Sequence, residues 1–490
     1  MSGAGGGGAA AAALLSAAGI AKEFRRSKSG LAGVAILAGL LAMTAYAATA
    51  VPLESFQQWN NPNYWIDQPK SAAPAWINNL PFGPKAPEHV VMHARDAQKA
   101  VSEEDGVLTV THSYRVDVDF DEYPSDFMFL YSARYGATPP ALQVEAERPD
   151  GRTFQVYFNS LPPVGQDSSD GSGEGGEGEG KKVEFSSRVF STDSAVAESL
   201  AQYAGEFAYG QDPSRPQSMV FADTESNRVL KGTYVFRETF LLFEDGDQVT
   251  DSGLILGGKV YGLMGTDELR RDLATGILWA APVALFIGLT VSIASVLIGL
   301  LYGVVAGYKG RRTDEGLMRI NDVFYSLPTL PLLVILSVTV GRSIFLITGF
   351  LVIFGWVGMA KVSRSLALQI KNLQYVEAAR LMGQSDMKII MRHIVPQLLP
   401  LTFASIAIAV PGAILGEAAL SFLGLGDPSV PTWGQMLHDA NSAGAAVRGL
   451  WWWIIPPGVM IALTGLAFAL IGNALDAVAN PVRNRGRRSG

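Results

Sequence analysis

The 490-residue chain has no cysteine. That excludes a disulfide framework, a thiolate metal site and a cysteine nucleophile, and it leaves the compartment unreadable from redox chemistry. There is no GxxxxGK[ST] phosphate loop, so the chain does not hold a nucleotide in the P-loop manner. Neither HExxH nor a GxSxG serine elbow occurs, which removes the usual signatures of metal-dependent and serine-dependent proteolysis. Histidine is scarce, at five residues, and two of them, His89 and His93, have the i, i+4 spacing of a zinc-binding helix. Val90 stands where a metalloprotease has its glutamate, and no third ligand is evident. Asp117, Asp119, Asp121 and Glu122 form an acidic cluster without the glycine-turned loop that calcium requires, and read as a solvated face. No catalytic residue, metal or cofactor is expected.

Long apolar runs are abundant instead. Hydrophobic residues make up 48% of the chain, and the mean hydropathy of +0.21 is high for a soluble protein. Six runs are long enough to cross a bilayer: 31–50, 277–306, 323–340, 344–360, 398–420 and 452–475. The net charge of −7 hides a segregation, because residues 51–265 carry roughly −16 and the rest is basic. Alternating six spans puts Lys22, Arg25, Arg26 and Lys28, then Lys309, Arg311, Arg312 and Arg319, then Lys361, Arg364, Lys371, Arg380, Lys388 and Arg392, and finally Arg483, Arg485, Arg487 and Arg488, on one side. By the positive-inside rule that side is cytoplasmic, with both termini in and the acidic segment out; Arg342 and Arg448 are minority exceptions. Trp451, Trp452 and Trp453 fit an outer interfacial belt. The first run ends in AYAATA, which also looks like a signal-peptidase site, but its length favours a retained anchor.

The organisation expected is a tail at 1–30, a first helix at 31–50, an extracytoplasmic domain at 51–262, a five-helix core at 263–481 and a tail at 482–490. In the inserted domain, 107–120 alternates, with Tyr114, Val116, Val118 and Phe120 on one face. Further strands are expected at 127–131, 153–158, 183–190 and 233–243, and a helix at 193–207. Residues 165–182, GQDSSDGSGEGGEGEGKK, are too poor in apolar side chains to fold and read as a mobile loop. The fold class is an all-α polytopic membrane domain carrying a β-rich α+β domain.

The stretch 361–400 is basic and helix-patterned between two apolar runs, too charged for lipid and too regular for a linker. Two short helices are expected. The first carries Tyr375, Ala378, Ala379 and Met382 and stops at Gly383; the second, capped by Ser385, places Met387, Ile390, Met391 and Ile394 on one face and ends towards Pro396. Glu377-Ala378-Ala379, then Gly383, then Ile394 with Pro396 or Pro400 resemble the EAA loop of binding-protein-dependent ABC importer permeases. Other strings resemble the dipeptide/oligopeptide branch of that family. Gly265-Thr266-Asp267-Glu268-Leu269 and Arg271-Asp272 follow its GTDxxGRD, with Arg270 where the pattern has glycine. The run from Glu417 through Ser421, Phe422, Gly424, Leu425 and Gly426, and then Pro431, Trp433, Gly434, Met436 and Leu437, matches closely. Leu466-Ala467-Phe468 and Gly472 fit a last motif whose ending is altered at Asn473, Asp476, Ala477 and Asn480.

The resemblance covers the first span and 263–481, leaves most of 51–262 unexplained, and implies a type I importer permease fold with six transmembrane helices. It also implies a pathway-forming subunit working with a second homologous permease, two ABC ATPase subunits and an extracytoplasmic solute-binding protein. Lipid surrounds such a subunit, and no nucleic acid is expected. The EAA loop, 361–396, would couple to the ATPases through Tyr375, Glu377, Ala378, Ala379, Arg380, Gly383, Ile394 and Pro396. Glu377, an acid on a basic surface, reads as a charge-paired contact; the plainer alternatives are a solvated helix residue or a partner of Arg380. Pro411, Glu417, Phe422, Gly424, Gly426 and Trp433 are candidates for the pathway or outer gate, with Glu417 better explained by a hydrogen bond to its own loop than by cargo. Peptide is the expected cargo and an oligosaccharide the alternative. A secondary transporter would need more intramembrane ionisable groups, and a membrane-anchored receptor would leave the basic hairpin unexplained.

Overall fold

The computed structural model describes residues 24–81, 83–163, 182–207, 212, 214–226 and 228–479. The described residues fall into two compact units that divide after Asn61 and after Ala274. The expected tail at 482–490, most of the 165–182 loop and the first 23 residues of the 1–30 tail lie outside the described residues.

In the unit between those divisions, alternation builds a two-sheet sandwich. Strand β3 (Val107–Val118) turns Val110, His112, Tyr114, Val116 and Val118 inward, and its outward Arg115 and Asp117 are exposed. It is the second strand of a five-stranded antiparallel sheet ordered β2 (Gln98–Glu104), β3, β8 (Gly232–Leu242), β5 (Ala141–Glu147) and β6 (Thr153–Ser160). The other sheet runs β1 (Val90–His93), β9 (Gln248–Gly257), β4 (Asp126–Tyr135) and β7 (Val183–Phe190). Tyr114, Phe127, Phe129, Leu142, Val144, Phe154, Phe236, Phe240 and Leu254 from both sheets form one core. Register is fixed by pairs such as Tyr114 opposite Phe236 and Val110 opposite Phe240. The helix expected at 193–207 is Ser194–Ala201 followed by a 3-10 turn, Ala204–Glu206. A further helix, Pro216–Phe221, is closed by buried Arg148, which donates to the carbonyls of Met219, Val220 and Ala222.

In the other unit, helix α1 (Lys28–Ala50) packs on the last helix, α11 (Trp451–Ala479). Glycines set the approach: a Cβ on Gly33 would lie 2.7 Å from the carbonyl oxygen of Ala467. Between them run α2 (Leu273–Lys309), α3 (Arg311–Ser326), α4 (Thr329–Val340), α5 (Ile344–Gly355), α6 (Val357–Ile370), α7 (Gln374–Leu381), α8 (Asp386–Ile389), α9 (Val395–Phe422) and α10 (Trp433–Ser442). Gly299, Gly303 and Gly307, one turn apart on α2, bring it into backbone contact with α6. A Cβ on Gly299 would stand 2.5 Å from Trp356 O and one on Gly307 2.7 Å from Arg364 O. Ser363 Oγ donates to Gly299 O at 2.9 Å across the contact. Arg364 adds a bidentate pair to Asp314 of α3 at 2.5 and 2.6 Å.

Among the described residues, five helical segments are long and apolar enough to cross a membrane: Lys28–Ala50, Leu273–Lys309, Ile344–Ile370, Asp386–Phe422 and Trp451–Ala477. The expected third span, 323–340, is not one straight helix. α3 and α4 meet at a 77° bend, and only by counting that pair as one span does the number reach six. Pro328 at the break removes a backbone donor and pushes Leu327 into an extended conformation, φ −71° and ψ 131°. The expected tryptophan belt is also partial. Trp451 is exposed, whereas Trp453 is buried among protein side chains.

Candidate functional site

The basic hairpin begins at α7. Its C-terminus is a Schellman stop: Gly383 takes φ +79°, its N–H bonds Arg380 O at 3.0 Å, and Gln384 N–H bonds Ala379 O at 3.2 Å. Ser385 occupies the N-cap position of α8, but its side chain makes no capping bond. The second arm differs from the expected short helix. α8 passes through a π turn, Ile390–Ile394, straight into α9, with Pro396 in the turn that follows it. The extra residue of the π turn rotates the apolar face. Ile389, Ile390 and Ile394 are buried, while Met387 and Met391 point outward, so the expected face of Met387, Ile390, Met391 and Ile394 is split.

The inner side of the hairpin is thus an apolar core. Val376 and Ala379 meet Ile389, Ile390, Ile394 and Leu398, and the cluster extends to Val296, Leu300 and Val304 of α2 and Met359 and Ala367 of α6. Two polar ties brace the arms: Gln397 Nε2 donates to Tyr375 Oη at 2.5 Å, and His393 Nε2 lies 3.0 Å from Gln384 Oε1. Of the eight residues singled out here, Tyr375, Glu377, Ala378, Arg380, Gly383 and Pro396 are at the surface, while Ala379 and Ile394 are inside. Glu377 makes no ion pair with Arg380. Leu381 (84% exposed) and Met382 (73%) join Met387 in an apolar tip flanked by Arg380 and Lys388. Leu381 was missed in the sequence because it lies off the periodic face; an apolar residue next to the stop was the available signal.

The second group gathers at the far end of α9. Glu417 is buried and accepts a bond from Ser421 Oγ at 2.6 Å. One turn on, Gly424 (φ +77°) closes α9 in another Schellman stop, Gly424 N to Ser421 O and Leu425 N to Leu420 O. α10 then crosses α9 at the glycine of Gly434, whose Cβ would stand 2.6 Å from Ala418 Cα. Thr432 Oγ1 caps α10 by accepting Gln435 N–H at 3.1 Å, and buried Trp433 donates Nε1–H to Ile277 O at 3.2 Å. A Cβ on Gly426 would meet Gln435 Oε1 at 2.9 Å. Glu417, Gly424, Gly426 and Trp433 therefore share one packed corner. Phe422 is exposed, and Pro411 lies along α9 towards Gly465 of α11.

The remaining sequence candidates are dispersed. His89 precedes β1 and His93 ends it, so their spacing falls on a strand, where it does not bring two imidazoles to one helix face. Burial lowers the pKa of His89. Asp119 pairs with Lys85, Asp121 with Lys231 at 2.6 Å and Glu122 with Lys259 at 2.8 Å, while Asp117 accepts from Thr233 Oγ1 at 2.7 Å. No group of three metal-ligating side chains is found among the described residues.

The profile of a family described as "Binding-protein-dependent transport system inner membrane component" matches residues 299–484, which hold both the hairpin and the packed corner. Over 222 residues the chain is 39% identical to the dipeptide transport system permease protein DppC of Bacillus subtilis, covering 45% of this chain and 69% of that protein. It is 34% identical over 218 residues to the oligopeptide transport system permease protein OppC of the same species, covering 44% and 70%. The di/tripeptide transport system permease protein DppC of Pseudomonas aeruginosa is 31% identical over 234 residues, covering 48% and 76%. The chain belongs to this family of inner membrane transport components. Among solved structures, a chain of the MetNI methionine ABC transporter aligns at 17% identity over 41% of this chain and 96% of its own length, with a TM-score of 0.34, a likeness too slight to carry an argument.

Proposed function

We propose that the chain is a permease subunit of an ATP-driven ABC importer of peptides, lining the pathway together with a second, homologous permease. Two ATPase subunits dock on the hairpin and an external solute-binding protein delivers the cargo. The bent α3–α4 pair counts as one span, so six spans put both termini in the cytoplasm and the sandwich outside, where it docks or funnels the binding protein. The observation that carries this reading is the identity to peptide transport permeases, backed by a matched region that includes the hairpin. The hairpin's form fits the role. Its inner side is welded to α2 and α6 by buried apolar contacts, and its tip presents Leu381, Met382 and Met387 beside the unpaired Glu377. A rigid body with an exposed apolar tip and a free acid suits a cleft with apolar walls and a basic group. Closure of the ATPase pair would then move the hairpin and rock the helices about the pathway.

The test is purification of the chain from its native membrane in mild detergent, with identification of what comes with it, for wild type and Glu377→Lys. Recovery of a second permease and of P-loop ATPases, with ATPase-linked peptide uptake lost in Glu377→Lys, is the expected result. Wild-type chain recovered alone, even after crosslinking, would overturn the proposal.

A further inference from the structure

Arg270 stands in an unexpected backbone conformation. Residues 265–272 fold back on themselves, Thr266 bridging Asp272, and the Asp267 carboxylate organises the turn. It accepts from Leu269 N at 2.9 Å, from Arg271 N at 2.8 Å and from Arg271 Nε at 2.5 Å in a buried ion pair. At the fourth place of the turn Arg270 takes φ +65°, the left-handed region where an L side chain is strained. Glycine would make this turn without cost. The arginine must therefore gain something elsewhere, and the gain is visible. Its Nη1 donates to Gln68 O at 2.6 Å and its Nη2 to Asp126 Oδ2 at 2.5 Å. The pair is mostly buried, with 18% and 14% of the two side chains exposed.

The acceptors come from distant parts of the chain. Asp126 opens β4, and Gln68 belongs to the segment that leads into the sandwich. The sandwich is shaped to present the carboxylate: Gly257 of β9 pairs with Asp126 in register, and a Cβ there would stand 2.8 Å from Asp126 Cγ, so only a glycine leaves the side chain its place. We infer that Arg270 is a latch that fixes the 265–272 turn to the β-sandwich, so that the turn and the sandwich behave as one piece. Backbone strain at one residue is exchanged for a charge-assisted tie between three stretches of chain.

The experiment is hydrogen exchange on the full chain in lipid nanodiscs, comparing wild type with R270G, R270A, D126N and the R270G/D126N double variant. Glycine suits the backbone here, so R270G keeps the turn foldable. In R270G and in D126N the amides of residues 269–271 are expected to exchange about tenfold faster, and the double variant no faster than the faster single one. R270A, which keeps the strain and loses both partners, is expected to exchange faster than R270G. Wild-type exchange in R270G, additive effects in the double variant, or R270A slower than R270G would each overturn the latch.

Discussion

Gly303→Ala puts the contact between α2 and α6 to a quantitative test. The added Cβ would overlap Ala360 O and Ser363 Oγ and stand 2.8 Å from Arg364 N. Two of these atoms belong to the backbone of α6 and have no rotamer to escape into, so the helices must part. Overpacking of this kind costs about 1–3 kcal/mol. Parting also stretches the bond from Ser363 Oγ to Gly299 O, now 2.9 Å; an interhelical bond in a membrane is worth about 0.6–1.7 kcal/mol. Alanine recovers roughly 0.5–1 kcal/mol over glycine inside a helix, leaving a net loss of about 1–4 kcal/mol. Gly349 of α5 is the control, because nothing lies within 4 Å of its would-be Cβ and Gly349→Ala should gain only the helix term. Unfolding of the full chain in mixed micelles by titration with SDS measures both. Equal stability of Gly303→Ala and Gly349→Ala would refute the claim that backbone proximity, rather than general small-residue packing, sets this contact.

Glu238 is fully buried in the sandwich, neither carboxyl oxygen has a hydrogen-bond partner, and burial, with the Asp251 charge adding to it, raises its pKa well above the usual carboxylate value. The folded state then keeps a proton that the unfolded chain releases above the ordinary value of 4.5, so stability falls as pH rises through that window, by at most about 1.4 kcal/mol per pH unit. Thermal unfolding of the sandwich from pH 5 to 8 should lose this slope in Glu238→Gln; the buried His112, whose lowered pKa acts with the opposite sign, cancels in the comparison. An unchanged slope would mean that Glu238 is charged or reached by water. At the hairpin stop, Gly383→Ala should cost about 1–2 kcal/mol for its positive φ and Gly383→Asn less, read as faster hydrogen exchange at residues 379–385. Equal exchange in the two variants would show that the left-handed conformation is not what holds the stop.

Much of this was written in local patterns. The alternation of β3 is legible because one of its faces is wet and the other dry, and Gly383 is legible because a stop residue follows a short helical pattern. β9 was not legible: its last six residues are all buried, so it shows no period of two. β2 failed for the opposite reason, being exposed on both faces. The π turn leaves no mark in composition, yet it decides which of Ile389, Met387 and Met391 is inside. The bend between α3 and α4 was written in Pro328 but masked by apolar residues on both sides. As for Arg270, the sequence showed a departure from a glycine pattern, but only the structure shows that the conformation is left-handed and that the side chain meets Asp126.

The hairpin's second arm and the packed corner of Glu417 are two ends of one shaft. Asp386–Phe422 is a single helical rod of 37 residues, about 55 Å long at 1.5 Å per residue. In the proposed importer, a load applied beside Met387 would enter this shaft as torque as well as thrust. Pro396, Pro400 and Pro411, each lacking a backbone donor, are the compliant points along that shaft. The Ser421 bond to Glu417 and the Trp433 bond to Ile277 O hold its far end, so twist entering at the hairpin would be taken up first at the prolines.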